Sequence, residues 1–298
     1  MYNIISKSKY AYIFSGVLTI LSVVSIFVWG LKLGIDFTGG TVMEVKFDQG
    51  TPANQEISDV LNGLNLSSLT IQGKGGESLL VSYASVDDSV NQNVWKAIAD
   101  KYPSAIQSRV DYRDSSVSSE LRKNSFWALF WAAVGIMAFI AFAFRKVSRP
   151  VESWKYGAGA VIALIHDVLI TVGAFAVLGH YKGIEVGIPF IAALLTILGF
   201  SVHDTIVVYD RTRENLLKSS SKESFPSVVN RSLNETLVRS INTSMTVIIT
   251  LVAIYLFGGE SIRDFSLALL IGIGFGTYSS IFIASALLVT SYNLQTKK

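Results

Sequence analysis

Hydrophobic positions along the chain gather into six long runs almost free of charge, separated by polar stretches. The runs are Tyr10–Leu31, Ser125–Phe144, Tyr156–Leu178, Val186–Tyr209, Ser240–Phe257 and Phe265–Tyr292. A hydrocarbon layer of about 30 Å takes about 20 helical residues to cross, so the pattern predicts six transmembrane helices. The first run has 22 residues and no charge. It is too long for the apolar part of a cleavable signal and reads as an uncleaved anchor. The last run exceeds what one crossing needs, which predicts tilt or an interfacial turn. Its Gly272, Gly274 and Gly276 predict close packing through small residues, with a hinge as the alternative.

Between the first two runs the period changes. Thr41–Phe47 alternates as a half-buried strand. Ala53–Leu64 places Ile57, Val60, Leu61 and Leu64 at helical spacing. Ser68–Gln72 and Ser78–Tyr83 read as strands around a GKGGE hairpin loop, Val86–Lys101 as an amphipathic helix and Ala105–Tyr112 as a last strand. Ser115–Lys123 then reads as a short amphipathic helix leading back to the membrane. The β-α-β-β-α-β order is the split βαβ of ferredoxin-like folds. The predicted organisation is an N-terminal segment and first helix (1–31), an extracytoplasmic α+β domain (32–123) and a five-helix membrane region (124–298). Tyr83, Trp95, Tyr102 and Tyr112 are either core packing or a face for extended polypeptide.

Composition agrees. The chain is 50% hydrophobic and 16% charged, where a soluble domain is nearer 25% charged. With no Cys there are no disulfides or thiolate metal ligands, and three His offer no metal cluster. No P-loop, HExxH or GxGD-like motif is present, so no nucleotide, metal or other cofactor is expected, and no enzymatic activity. One set of flanks carries Lys7, Lys9, Arg145, Lys146, Arg149, Lys155, Arg211, Arg213, Lys218, Lys222, Arg231, Lys297 and Lys298; the opposite short loops carry Lys182 and Arg263. The positive-inside rule then places both termini in the cytoplasm and residues 32–123 outside. The polar loop Leu216–Arg231 reads as an amphipathic or flexible connector, not a nucleic-acid patch.

Candidate chemistry lies within the runs. Asp204, beside His203, interrupts the fourth; a charged side chain at that depth costs about 3 kcal/mol on insertion scales and marks a functional site by default. His166 and Asp167 sit near the middle of the third and must face protein or water. Both a satisfied interhelical hydrogen bond and a supporting role in a proton path fit them. Asp210, Arg211 and Arg213 read as solvated interfacial charge. Arg239, Thr243, Thr246 and Thr250 fall on one helical stripe, with Asn242 and Ser244 beside it. That stripe suits a bundle interior or water file better than lipid. Arg239 either snorkels to the interface or pairs with Asp204, coupling proton binding to helix position. Asp36-Phe37-Thr38-Gly39-Gly40 follows the first run; Gly39 and Gly40 permit a tight turn, and Asp36 either caps it, orients the outer domain, or lines a vestibule.

LGIDFTGGTVMEV after the first run, ALIHDVLITVG in the third, GFSVHDTIVVYDRTREN closing the fourth and NRSLNETLVRSINTS opening the fifth resemble the SecD/SecF family of protein-export membrane proteins, related to the RND transporters. The resemblance spans essentially the whole chain and departs at His203, where Asn or Ser is the family expectation. It implies a subunit of the SecDF accessory of the Sec pathway in the plasma membrane, with SecD, the SecYEG translocon, unfolded preprotein and YajC as partners. It implies Asp204 as the carboxylate of a proton path and Arg239 as its responding arginine. The coupling ion is H⁺, or Na⁺ as in some marine relatives. The alternative drawn from the residues is a free-standing RND-like exporter of small molecules or lipids, which needs a larger outer domain or a second six-helix half.

Overall fold

The computed structural model describes residues 2–48, 50–74, 76–145, 151–219 and 223–296, apart from the side chains of residues 115, 116, 260 and 261. Lys146, Arg149, Lys222, Lys297 and Lys298 of the charge count, and Gly75 of the hairpin, lie outside these. Among the described residues, six helical stretches are long and apolar enough to cross a membrane. They are α1 (Ser8–Trp29), α5 (Ser115–Ala143), α6 (Ser153–Lys182), α7 (Ile188–Lys218), α8 (Phe225–Phe257) and a last stretch of α9 (Glu260–Ser279), a π-helical segment (Ser280–Ala284) and α10 (Ser285–Thr296). The single turn α2 (Ile35–Thr38) follows α1.

The sheet domain lies between α1 and α5. It contains β1 (Gly40–Lys46), α3 (Asn54–Leu61), β2 (Thr70–Lys74), β3 (Ser78–Tyr83), α4 (Asp88–Lys101) and β4 (Ile106–Arg113). The antiparallel sheet has the order β2-β3-β1-β4, the ferredoxin-like arrangement that the period changes predict. Alternation puts Met43 and Val45 of β1 under α3 and α4, against Ile57, Leu61, Val94 and Ile98, all fully buried. Tyr83 belongs to this core and donates to Asn91 Oδ1 at 2.6 Å. Trp95 and Tyr102 pack partly buried against it, while Tyr112 is half exposed.

The membrane helices follow a different rule. Burial in lipid brings no hydrophobic gain between helices, so contacts form where small residues let backbones approach. On α1 the buried positions are Ala11, Ser15, Ser22 and Ser25, whereas Ile13 and Phe27 face outward. Ser22 lies where a Cβ on Gly173 of α6 would sit. Gly272 and Gly276 of α9 likewise receive Ile197 and Ser201 of α7. Gly274 faces open space, so two of the three glycines are packing sites and the third is not.

Several boundaries differ from the sequence reading. The polar helix Ser115–Lys123 is the first part of α5 and not a separate element. Helix α7 continues to Lys218, and α8 begins at Phe225 rather than Ser240, Pro226 standing in its first turn. Connector residues 216–218 and 225–231 are therefore helical. These extensions carry polar residues that bond one helix to the other: Arg211 donates to Glu235 at 2.6 Å, besides Glu214 on its own helix, and Asn215 donates to Ser232 and Glu235. Apolar content ends where the hydrocarbon ends, while the helices run on. The last crossing is one continuous helical stretch with a π segment, Ser280–Ala284, within its length.

Gly40 is the tightest point of the handover into β1. Its φ is +131°, and an added Cβ would run into the Tyr83 carbonyl and stand 3.0 Å from Ala84 Cα. Gly50 also has positive φ, +87°, but open space. Gly50→Ala is expected to cost the 1–3 kcal/mol of a strained backbone, and Gly40→Ala clearly more. Thermal unfolding of the two purified variants checks this; equal losses would show that the Tyr83 contact is unimportant.

Candidate functional site

The site is assembled from α6, α7 and the α9–π junction. Asp167 of α6 is fully buried. Its Oδ2 accepts from Ser201 Oγ of α7 at 2.6 Å and from Ser279 Oγ of α9 at 2.7 Å, and its Oδ1 lies 2.9 Å from His166 Nδ1. Three polar side chains from three helices thus converge on one carboxyl group. Gly276 makes room: a Cβ there would lie 3.1 Å from Ser201 Cβ and 3.6 Å from Asp167 Oδ2. His166 Nε2 is buried with no partner among the described residues.

Asp204, one turn below Ser201 on α7, is 6% exposed. Its Oδ2 accepts from Ser280 Oγ at 2.5 Å. Ser279 and Ser280 are adjacent, so two neighbouring hydroxyls serve the two carboxyl groups. No hydrogen bond joins Asp167 to Asp204 among the described residues, unlike a pair sharing one proton at a catalytic centre.

Ser280 opens the π segment, the site's least regular backbone. A π turn widens the helix and releases carbonyls from the i→i−4 ladder, and in hydrocarbon these need partners. The Ser280 carbonyl accepts from Ser285 Oγ at 3.1 Å, and the Ala284 carbonyl from Tyr209 Oη at 3.1 Å. Three residues before Ser280, Thr277 Oγ1 of α9 donates to Ser244 Oγ of α8 at 2.6 Å.

The other sequence candidates lie elsewhere. His203 is exposed, on the opposite side of α7 from Ser201 and Asp204. Arg239, Thr243, Thr246 and Thr250 are exposed too, while Ser240 and Ser244 form the buried edge of α8. The polar stripe therefore faces out of this chain's own bundle. Arg239 makes no ion pair with Asp204 here. Sequence reading missed Ser201, Ser279, Ser280 and Thr277, and named Ser244 only as a neighbour of the stripe. A signal was present in TYSS at 277–280, four polar residues in succession within an apolar run.

A second set of contacts connects α7 to the sheet domain. Asp36 Oδ2 accepts from the backbone N–H of Ile188, the first residue of α7, at 3.0 Å, and its Oδ1 lies 3.4 Å from Arg113 Nε at the end of β4. Asp36 thus caps α7 from outside that helix, where a carboxylate also complements the helix dipole. Gly187 allows this: a Cβ would fall 2.7 Å from Asp36 Oδ2. The loop before α7 is laced to the same region. Val186 N–H donates to the Lys32 carbonyl at 2.8 Å, Gly34 N–H to the Val186 carbonyl at 3.0 Å, and Gln72 Nε2 of β2 to the Gly183 carbonyl at 2.9 Å. Burial pushes the Glu185 carboxyl in this loop above its ordinary range, against a hydrogen bond from Thr70 and the Lys32 charge.

This fold and site define a class: a polytopic membrane protein with carboxyl groups buried between its spans and a small α+β domain tied to the helix that carries one of them. Residues 93–294 match the description "Protein export membrane protein SecD/SecF, C-terminal", and residues 24–51 match "SecD/SecF GG Motif", which includes Asp36, Gly39 and Gly40. The protein translocase subunit SecF of Thermobaculum terrenum is 43% identical, the match covering 97% of this chain and 94% of that one; SecF of Sebaldella termitidis is 37% identical over 93% and 87%. The crystal structure of SecDF, a translocon-associated membrane protein, from Thermus thermophilus superposes with a TM-score of 0.86 at 31% identity over 98% of this chain. A structure of SecDF in a super-membrane-facing form gives 0.70 at 30% identity over 99%. This chain spans 39% of the length of each of those solved chains. It belongs to the SecD/SecF family, on the SecF side.

A raised folded pKa favours the protonated form, so the Glu185 contribution to the junction is fully present below about pH 4.5 and fades as pH rises through the higher folded value. Beside Lys32 and Thr70, the carboxyl groups of Asp36 and Asp264 line the adjoining cavity. Amide exchange at residues 183–188 is expected to speed up from pH 5 to pH 8 beyond the intrinsic pH effect, and Glu185→Gln to remove that excess. An excess unchanged in Glu185→Gln would assign it to another group.

Proposed function

We propose that this chain is the SecF half of a SecDF-type accessory to the Sec translocon, in which protonation of Asp204 is coupled to movement of the sheet domain and so favours completion of preprotein export. The observation that carries the reading is α7 itself. It bears Asp204 along its length and is capped at its N-terminus by Asp36, which also pairs with Arg113 of the sheet domain. A change at the carboxyl group that shifts or rotates α7 therefore acts on the domain through direct contacts.

The two arrangements of such a cycle would differ in the partner of Asp204, the Ser280 hydroxyl or Arg239. With Asp204 ionised, a cation and the Ser280 hydroxyl favour the charge; with it protonated, the attraction to Arg239 is lost. The Ser280–Asp204 hydrogen bond, with Arg239 exposed and apart from it, is compatible with the protonated state of such a cycle. Each charge carried across the membrane brings about 2.3 kcal/mol per 100 mV, enough to bias a two-state element whose gap is a few kcal/mol. Asp167, His166, Ser201 and Ser279 serve as the supporting network that holds α6, α7 and α9 in register around the path. H⁺ is the coupling ion in this reading, with Na⁺ as the rival.

The outward-facing stripe of Arg239, Thr243, Thr246 and Thr250 is the surface that a second six-helix half, SecD, would cover. The other implied partners are SecYEG, YajC and the preprotein itself. In this arrangement both termini are cytoplasmic and residues 32–123 lie outside the plasma membrane. The chain acts as a transport subunit and not as an enzyme. The free-standing exporter is disfavoured by the match over nearly the full length of SecF relatives.

Membrane vesicles carrying this chain with its SecD partner provide the test. A proton gradient is expected to stimulate export in the wild type and not in Asp204→Asn, with assembly intact in both. Equal stimulation in Asp204→Asn would remove Asp204 from the path, and stimulation by a sodium gradient alone would replace the ion. Arg239→Lys is expected to retain more stimulation than Arg239→Met, since a charge and not a planar fork is required; equal loss would reject a pure charge role.

A further inference from the structure

Gly274 is the one glycine of its group that packs against nothing, and it opens onto an apolar groove of the membrane region. The groove has a volume of about 670 Å³ and lies between α8, α9 and the segment preceding α1. Leu237, Ile241, Met245 and Ile248 form one wall, and Gly274 with Ile281 the other. From Leu237 to Ile248, at 1.5 Å per residue, it runs about 16 Å, close to half of a hydrocarbon core of about 30 Å. It lies on the opposite face of α8 from the Arg239 stripe.

Its mouth is polar and held in place. Tyr2 N–H donates to Asn234 Oδ1 at 2.6 Å and Ile4 N–H to Asn230 Oδ1 at 2.8 Å, while both asparagine amides donate back to the Tyr2 carbonyl at 2.8–3.0 Å. This clamp sets Lys7 at the Leu237 end. Lys7 is exposed and makes no ion pair among the described residues.

We propose that this groove is a binding site for an anionic glycerophospholipid, with its phosphate at Lys7 and one acyl chain along α8 as far as Gly274. Three features select this occupant over a protein helix: the length of one leaflet, an almost wholly apolar wall, and a single unpaired cation at the interfacial end. On its way from Lys7 to Gly274 the chain would pass Ile281 and Phe282 of the π segment, which begins at Ser280, the partner of Asp204. The lipid would thus brace the irregular backbone on which that carboxyl group depends. The inference requires that the chain spans a bilayer and is independent of its role in export.

The test is native mass spectrometry of the full chain purified with its SecD partner, titrated with phosphatidylglycerol or phosphatidylcholine. The wild type is expected to retain phosphatidylglycerol preferentially, and Lys7→Gln to lower that preference about fivefold. Gly274→Leu fills the groove from a position with no neighbour within 4 Å, and is expected to lose the retained lipid while the complex keeps its thermal stability. Ile248→Trp, from the other wall, should act alike if Gly274→Leu fails to assemble. A diazirine-bearing phosphatidylglycerol should label peptides covering 237–248. Undiminished retention in both groove variants, labelling confined to other surfaces, or cross-linking of a protein segment into the groove would each overturn the assignment.

Discussion

Within hydrocarbon no water stands ready to satisfy a polar group, and this constraint organises the membrane half of the molecule. Asp167 is tolerable at zero exposure because two serine hydroxyls and an imidazole nitrogen reach it from its own and two neighbouring helices. Those contacts require the helices to approach closely, and close approach requires small residues: Gly276 beside Ser201, Gly173 beside Ser22. The packing of α6, α7 and α9 and the solvation of the buried carboxyl group are one problem with one solution. The same rule explains why the π segment is ringed by Tyr209 and Ser285, which take up the carbonyls that its wider turn releases.

A polar centre of this kind is stable yet adjustable. Hydroxyl groups rotate and can donate or accept, so a carboxyl group held by serines can change protonation without leaving an orphaned partner. Asp204, with a single serine on an irregular turn, is the less constrained of the two. Helix α7 joins that adjustable point to a rigid one. At its N-terminus Asp36, pressed against Gly187, holds both the first amide of the helix and the arginine that ends β4. The GG-motif segment thus has a mechanical meaning: its glycines free the backbone for the turn into β1, and its aspartate binds sheet domain to membrane helix.

Much of this was legible in the sequence because it rests on local rules. Runs without charge locate crossings, since the hydrocarbon excludes charge wherever it occurs. Alternation in TVMEVKF and the helical spacing of Ile57, Val60 and Leu61 identify strand and helix because each period matches one backbone geometry. Asp167 and Asp204 stood out because an ionisable residue in an apolar run is costly in any fold. The helix ends were less legible, since α7 and α8 run on past the apolar runs on polar and charged residues that bond to one another. Serine carries little hydropathic signal, so Ser201, Ser279 and Ser280 passed as neutral filler.

What the sequence determined by itself is therefore the inventory: six crossings, a βαββαβ domain, the depth of the ionisable residues and the family motifs. The tertiary structure alone decided who meets whom. It set Asp167 and Asp204 against adjacent serines, turned Arg239 and the threonine stripe out of the chain's own bundle, and placed Asp36 on an amide 152 positions away. Periodicity reports how one element partitions between two environments. The rotation of each helix about its axis, and so the partner of each polar group, follows from the simultaneous packing of several helices, which no single stretch of sequence contains.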